Sequence, residues 1–382
     1  MVDEQARAGL KAIEEHRYDD AVRALTAAVA GAADRPDLNH ALGIAHLRRG
    51  DVGNGVPFLE SAVRLAAPYT DPRHQPLRKD FQLTLATAYQ VLDRVRDAER
   101  TLVDGIAAWP DAIEARLQLG QLLLSSCRPV EACRVYDAAV DWLDKEQRVA
   151  AEALVGTVRA FLASGHDASV FLEAHGDSYR AYFDQVADAQ AEHGWYAEAA
   201  RMSRGADGEL RPVVPDGVRP YALVRVDLVN PADGAVSGVY SEQEPMIVAI
   251  DGLEPLAQVP VTLPWPGYPF EVWVSSRCPW HWLSVVVELA APAPGDERIG
   301  RVDGAIGSWY LAGYNGEFGD ADRGRFHYVT DPEPVGAAAV AYTVDLGRAG
   351  FHAIRDLLRR LAVVHDATPI RRVLFGEGRI PE

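Results

Sequence analysis

Small residues recur through the first part of the chain at a spacing that leaves it few folds to choose from. The stretches AGLKAIEEHRYDDAVRALTAAV, LGIAHLRRGDVGNGVPFLESAV, LATAYQVLDRVRDAERTLVDGI and LGQLLLSSCRPVEACRVYDAAV fall into one register. Gly9, Gly43, Ala86 and Gly120 share its first position, and Ala21, Gly55, Ala98 and Ala132 stand twelve residues on. Leu25, Leu59, Leu102 and Tyr136 come next, followed by Ala28, Ala62, Gly105 and Ala139. Two helices approach closely only where small side chains face each other, and the large residues then fill the seam to the following unit. A unit this short cannot enclose a core alone, so such units must stack.

The pattern resembles the tetratricopeptide repeat, a helix–turn–helix unit of about 34 residues. The resemblance runs over roughly residues 1–205 and implies a right-handed helical solenoid. Turns are expected at Gly50-Asp51, Arg94-Val95 and Arg128-Pro129. The steps between the first small positions are 34, 43 and 34 residues, and the longer one should lengthen an inter-repeat loop around Pro68–Lys79. Two weaker units follow, one around Gly156, Ala163, Ala168 and Leu172, the other around Ala187, Gly194, Tyr196 and Ala199. The family's first-helix tryptophan is missing throughout, and Gly55 stands where alanine is usual.

In that family the first helix of each pair lines a concave groove that binds a peptide or helix. The resemblance therefore implies a groove built from Asp3, Asp37, Asp80 and Glu114, then Ala6, His40, Leu83 and Leu117. Leu10, Ile44, Thr87 and Gln121 follow, and then Ile13, Leu47, Gln90 and Leu124. An apolar floor with one acidic rim suits a protein or peptide partner carrying basic side chains. The Lys, Asn and Arg set that clamps a C-terminal carboxylate in one subtype is absent. A plainer reading is that the acids near helix starts complement the helix dipoles. The groove could also be filled by the C-terminal half of the same chain.

Gly, Pro and Asp punctuate residues 206–219, which mark a linker between a helical domain at 1–205 and a second domain at 220–382. Beyond the linker the apolar period becomes two. YALVRVDLV, GAVSGVYS, MIVAID, QVPVTLP, FEVWVSS, WLSVVVELA, GSWYLAGY, RFHYVTD and AVAYTVDL all read as strands. Phe351, Ile354, Leu357, Leu358, Leu361 and Val364 form one helical stripe before a last strand, IRRVLFG. The fold class is thus α+β: an all-α solenoid, then a mainly antiparallel sheet with at least one packed helix, including a β-α-β unit.

Composition removes several functions. With 38 Lys+Arg against 55 Asp+Glu, the net charge of −17 disfavours nucleic acid and anionic membranes as partners. Lysine occurs only at Lys11, Lys79 and Lys145, so the second domain has no Schiff-base lysine and no GxxxxGK phosphate loop. This arginine bias points to a GC-rich, bacterial genome. Cys127, Cys133 and Cys278 form neither a disulfide framework nor a four-ligand zinc site. No cofactor and no metal is implied. The N-terminus lacks an apolar signal region and no stretch is long enough to span a membrane, so a cytoplasmic location is expected.

The leading expectation is an adaptor: the groove takes a partner segment and the second domain offers another surface. The competing expectation is an enzyme whose second domain is catalytic or ligand-binding. Its candidates are Cys278, His281 and His327, with Asp345 as a possible helper, and a platform of Trp265, Trp273, Trp280 and Trp282. A glycine-rich loop carrying Glu317, Asp320 and Asp322 is a weak cation candidate. Arg355, Arg359, Arg360, Arg371 and Arg372 form a basic cluster that could meet an acidic partner or the chain's own groove.

Overall fold

The computed structural model describes residues 2–165, 167–191, 196–198, 202–204, 210–212, 223–229, 236–242, 250–291, 296–319 and 326–376. Residues 1–155 and 156–378 form two compact units, a division that falls well before the linker expected at 206–219. Of that linker only Leu210–Pro212 lies within the described residues.

Four helix pairs make up the first unit. They are α1 (Val2–Glu14) with α2 (Tyr18–Gly31), α3 (Pro36–Arg49) with α4 (Val52–Ala66), α5 (Gln75–Val91) with α6 (Val95–Ala108), and α7 (Ile113–Ser125) with α8 (Pro129–Asp137). The small positions act as the register requires. A Cβ on Gly43 would stand 2.4 Å from Leu59 Cδ2, and one on Gly120 would stand 2.6 Å from the Tyr136 ring. Leu25, Leu59 and Leu102 are fully buried in these seats.

The turn within each pair is also repeated. His16, Gly50, Asp93 and Cys127 all have positive φ, between 55° and 85°, each seven residues after its small position. The next amide then reaches back five residues: Arg17 to the Ala12 carbonyl at 2.8 Å, Asp51 to His46 at 3.0 Å, Arg94 to Tyr89 at 2.9 Å and Arg128 to Leu123 at 3.0 Å. This left-handed closure satisfies carbonyls that the first helix leaves open. The residue after the turn then anchors the second helix. Arg17 pairs with Asp20 at 2.6 Å, Arg94 with Asp97 at 2.7 Å and Arg128 with Glu131 at 2.7 Å. In the second repeat Asp51 takes the same place and accepts from Asn54 at 2.7 Å.

The extra residues between repeats two and three do not all become loop. A 3₁₀ turn covers Pro72–His74, and α5 begins at Gln75, giving it 17 residues against 13 or 14 in α1, α3 and α7. Helix α9 (Lys145–Ser164) ends at Gly165, with φ 71°, and α10 (Ser169–Ala191) follows. The sixth expected unit is not a helix pair, because Tyr196–Glu198 is the strand β1.

Helix α10 belongs to the second unit together with the strands. After β1 come β2 (Met202–Arg204), β3 (Leu210–Pro212), β4 (Leu223–Val229) and β5 (Val236–Glu242). Strand β4 pairs antiparallel with both β1 and β5, and β2 with β3. Then come α11 (Glu254–Gln258), β6 (Thr262–Pro264), β7 (Glu271–Ser275), β8 (Leu283–Leu289), α12 (Asp296–Tyr314), β9 (Tyr328–Val329), β10 (Glu333–Pro334), β11 (Ala339–Asp345), α13 (His352–Ala367) and β12 (Ile370–Phe375). Their sheet runs β10-β11-β8-β12-β7-β6, with β9 on β11. All its pairs are antiparallel except β12 with β7. Strands β11 and β12 flank β8, so the expected β-α-β unit exists with a strand between its arms.

Two expected strands differ. GSWYLAGY is the end of α12, whose Val302, Ile306, Trp309 and Gly313 are buried at helical spacing. Most of MIVAID lies outside the described residues. One face of the sheet is largely apolar, with Val274, Val285, Val287, Val344, Val373 and Phe375 fully buried. Helix α13 buries Ala353, Ile354, Leu357, Leu358 and Leu361 completely within this unit.

Candidate functional site

The expected groove residues lie on α1, α3, α5 and α7. Asp3, Asp37 and Glu114 are each the second residue of their helix, where a carboxylate complements the dipole. Asp80 is a full turn further in, because α5 starts early. The rim is not purely acidic. Arg35 binds Asp3 at 3.1 Å and also pairs with Asp37. Burial opposes ionisation of Asp37, yet the Arg35 hydrogen bonds hold its carboxyl below the usual range. Lys79 Nζ donates to Asp111 at 2.9 Å. Asp3 and Asp80 nevertheless keep most of their side chains in solvent, and Glu114 is exposed.

The floor changes character along the array. Leu10 is 46% exposed, and Ile13, Ile44, Leu47, Leu83 and Leu117 are half-buried. Ala6 and Leu124 are buried. In the second half Gln118 Nε2 donates to Thr87 Oγ1 at 3.0 Å and to Gln90 Oε1 at 3.3 Å, while Gln121 is exposed. His40 is buried against the Phe81 ring, with Nε2 3.0 Å from Thr84 Oγ1 and 3.7 Å from Asp80 Oδ2. Burial lowers its pKa, and the Asp80 charge partly opposes this.

The tryptophans do not form one platform. Trp265 is buried and stacks on Phe351 at 5.7 Å. Trp273 is half-buried on the opposite side of the sheet from Val272 and Val274, and its Nε1 donates to Glu271 at 3.0 Å. Trp280 and Trp282 occupy a 3₁₀ turn, which sends them apart. Trp280 is buried with its ring 3.1 Å from where a Cβ on Gly176 would be, while Trp282 is 58% exposed beside Tyr328.

The catalytic candidates meet only in part. Cys278 is fully buried against Ser275 and Gly376, so its thiol has no route to a solvent-borne substrate in this packing. His327 Nδ1 bonds Asp345 Oδ2 at 3.0 Å, and Asp345 Oδ1 accepts from the Gly347 amide at 2.9 Å. His281 feels both of these groups and stacks on Tyr179 of α10 at 5.6 Å. His175, also on α10, is 3.1 Å from the Ser276 carbonyl. This histidine cluster was only partly anticipated, since His175 and Tyr179 come from a helix assigned to the other domain. Asp320 and Asp322 lie outside the described residues, and Glu317 is exposed. Among the described residues, no group of three or more His, Cys, Asp or Glu is arranged to hold a metal ion.

The arginine cluster is mostly committed internally. Arg360 pairs with Asp356 at 2.6 Å, and Arg372 and Arg371 hold Glu288 at 2.6 and 3.0 Å. The apolar stripe of α13 is already spent on its own core, so this helix cannot offer it to a groove while the unit is folded.

No family model matches the chain, and no curated protein matches it. Solved structures match about two-fifths of the chain. MamA is 19% identical, with 41% of this chain and 84% of that one covered, at a TM-score of 0.35. A kinesin light chain-like repeat protein of Podosopora anserina is 24% identical over 43% of this chain and 87% of its own, also at 0.35. A tetratricopeptide-repeat protein of Thermus thermophilus is 18% identical over 42% of this chain and 100% of its own, at 0.23. Among the described residues no helix is long and apolar enough to cross a membrane.

Proposed function

We propose that this chain is a protein-interaction adaptor whose α1, α3, α5 and α7 receive a partner segment bearing basic side chains. The observation that carries the reading is the contrast between two classes of large apolar residue. Leu25, Leu59 and Leu102 are sealed in the seams, whereas along successive first helices Leu10 is exposed and Ile13, Ile44, Leu47, Leu83 and Leu117 are only half-buried. Such a stripe gains free energy by covering, at about 25 cal/mol per Å² of apolar surface removed from water. Asp3, Asp80 and Glu114 beside it favour a cationic partner and raise its rate of encounter. In this reading the second unit supplies a further surface, for which the exposed Trp282 edge is the candidate.

The test is a titration of the full chain with two synthetic amphipathic peptides that differ only in carrying Arg or Glu on the polar face. The Arg peptide is expected to bind about tenfold more tightly, and the difference should shrink at high salt. Leu10→Glu with Ile44→Glu should abolish binding, and Asp80→Asn with Glu114→Gln should weaken the Arg peptide alone. Equal affinity for both peptides would remove the basic partner from the proposal. Binding that survives the two glutamates would remove the groove itself.

A further inference from the structure

Helix α10 packs against β1, β4 and β7 and the 3₁₀ turn of the second unit, and four of its contacts there have unusual chemistry. His175 Nε2 donates to the Ser276 carbonyl at 3.1 Å. Gly176 lets the Trp280 ring close on the helix backbone. Tyr179 stacks on His281, with rings 16° from parallel. Arg180 donates to the Ala349 carbonyl at 3.0 Å and sits 5.9 Å from the Trp280 ring. We propose that this contact is an acid-released latch: neutral His175 and His281 hold α10 in place, and protonating the two rings detaches it.

The geometry makes charge hard to accommodate there. His281 faces Tyr179 and His175 on α10, His327 ahead of β9 and Asp345 at the end of β11. Tyr328 and Tyr310 also face Asp345, and Arg180 is paired with Asp177 on α10 itself. His327 and His281 therefore draw on one carboxylate, Asp345, which already serves His327 and the Gly347 amide, while His175 meets the Ser276 carbonyl and the His281 ring. A proton on His327 completes an ion pair. A further proton on the buried His175 or the half-buried His281 places a cation where, among the described residues, no second carboxylate acts on it. Released to water, both rings would carry the proton at no such cost.

The shifts agree in direction. Burial lowers the pKa of His175 and of His281. The Ser276 carbonyl partly opposes this for His175, and Asp345 does so for His281. Repulsion from the neighbouring imidazole adds to the lowering in each. A histidine depressed in the docked state stabilises docking fully above its ordinary value of about 6.5, and that contribution is lost as pH falls below it.

The test is hydrogen exchange followed by mass spectrometry on the full chain between pH 7.5 and 5, with intrinsic exchange rates divided out. Peptides spanning 169–181 report opening of α10, and peptides spanning 352–367 report α13. The opening constant of α10 is expected to rise below pH 6.5 by between about tenfold and a hundredfold per pH unit, the range for one to two protons taken up on release. Opening of α13 should stay flat. His281→Phe keeps the ring stack on Tyr179 and should reduce the slope to about tenfold per unit. His281→Phe with His175→Gln should remove it. The exposed His16→Gln serves as control and should change nothing. A pH-independent opening constant for α10, a slope that persists in the double variant, or α13 opening in step with α10 would each overturn the latch.

Discussion

The two units handle charge in opposite ways. In the solenoid most of the described ion pairs are local and at least partly exposed, and one recurs with the turn, as Arg17 with Asp20, Arg94 with Asp97 and Arg128 with Glu131, while Arg35 with Asp3 and Lys79 with Asp111 bridge between helices at the surface. In the second unit the decisive pairs are buried and join distant parts of the chain, as in Arg372 with Glu288 and His327 with Asp345. Exposed pairs contribute little each. Buried pairs are costly to break, because one partner is left charged without water or a counter-ion. The solenoid should therefore fail by lost packing and the second unit by lost charge balance.

That contrast can be broken at its strongest point by Glu288→Ala. The change strands the buried Arg372 guanidinium and should destabilise the second unit by about 3–5 kcal/mol. Denaturant unfolding monitored by exchange in β8 and β12 measures it, and a loss under about 1 kcal/mol would deny the pair its role. In the solenoid the comparable weak point is steric. Gly43→Val forces a side chain into the space of Leu59 and should cost about 1–3 kcal/mol through overpacking, read as a lower melting temperature of the helical signal. The smallest effect is expected at Arg128, which reaches Glu131 at 2.7 Å and Glu99 at 2.6 Å from a partly exposed position. Arg128→Ala should cost about 0.5–1 kcal/mol and less at high salt. A salt-insensitive cost above about 2 kcal/mol would erase the distinction between the two units.

How much could be read in advance followed the range of the forces involved. The repeat was legible because small and large residues alternate at fixed spacing, and sterics allow few other uses for such a pattern. Its turn was placed within one or two residues, but the left-handed residue itself stayed hidden. Only Gly50 advertises that conformation, while His16, Asp93 and Cys127 adopt it because the closing hydrogen bond holds them there. Helix α12 was mistaken for a strand because Trp309 and Tyr310 favour extended structure locally. The glycines and alanines between them concealed the helical spacing of its buried face. Placing α10 with the sheet was beyond reach, since its contacts cross about a hundred residues of chain, from His175 to Ser276. The histidine cluster depends on that placement, so it could be only half seen.

The early start of α5 has a consequence for recognition. In an array of equal repeats every step resembles the next, and a ligand can slide by one unit with little loss. One helix longer by three or four residues, about 4.5–6 Å of added rise, removes that equivalence. Under the proposed function it gives the row a fixed origin, from which a bound segment would be read.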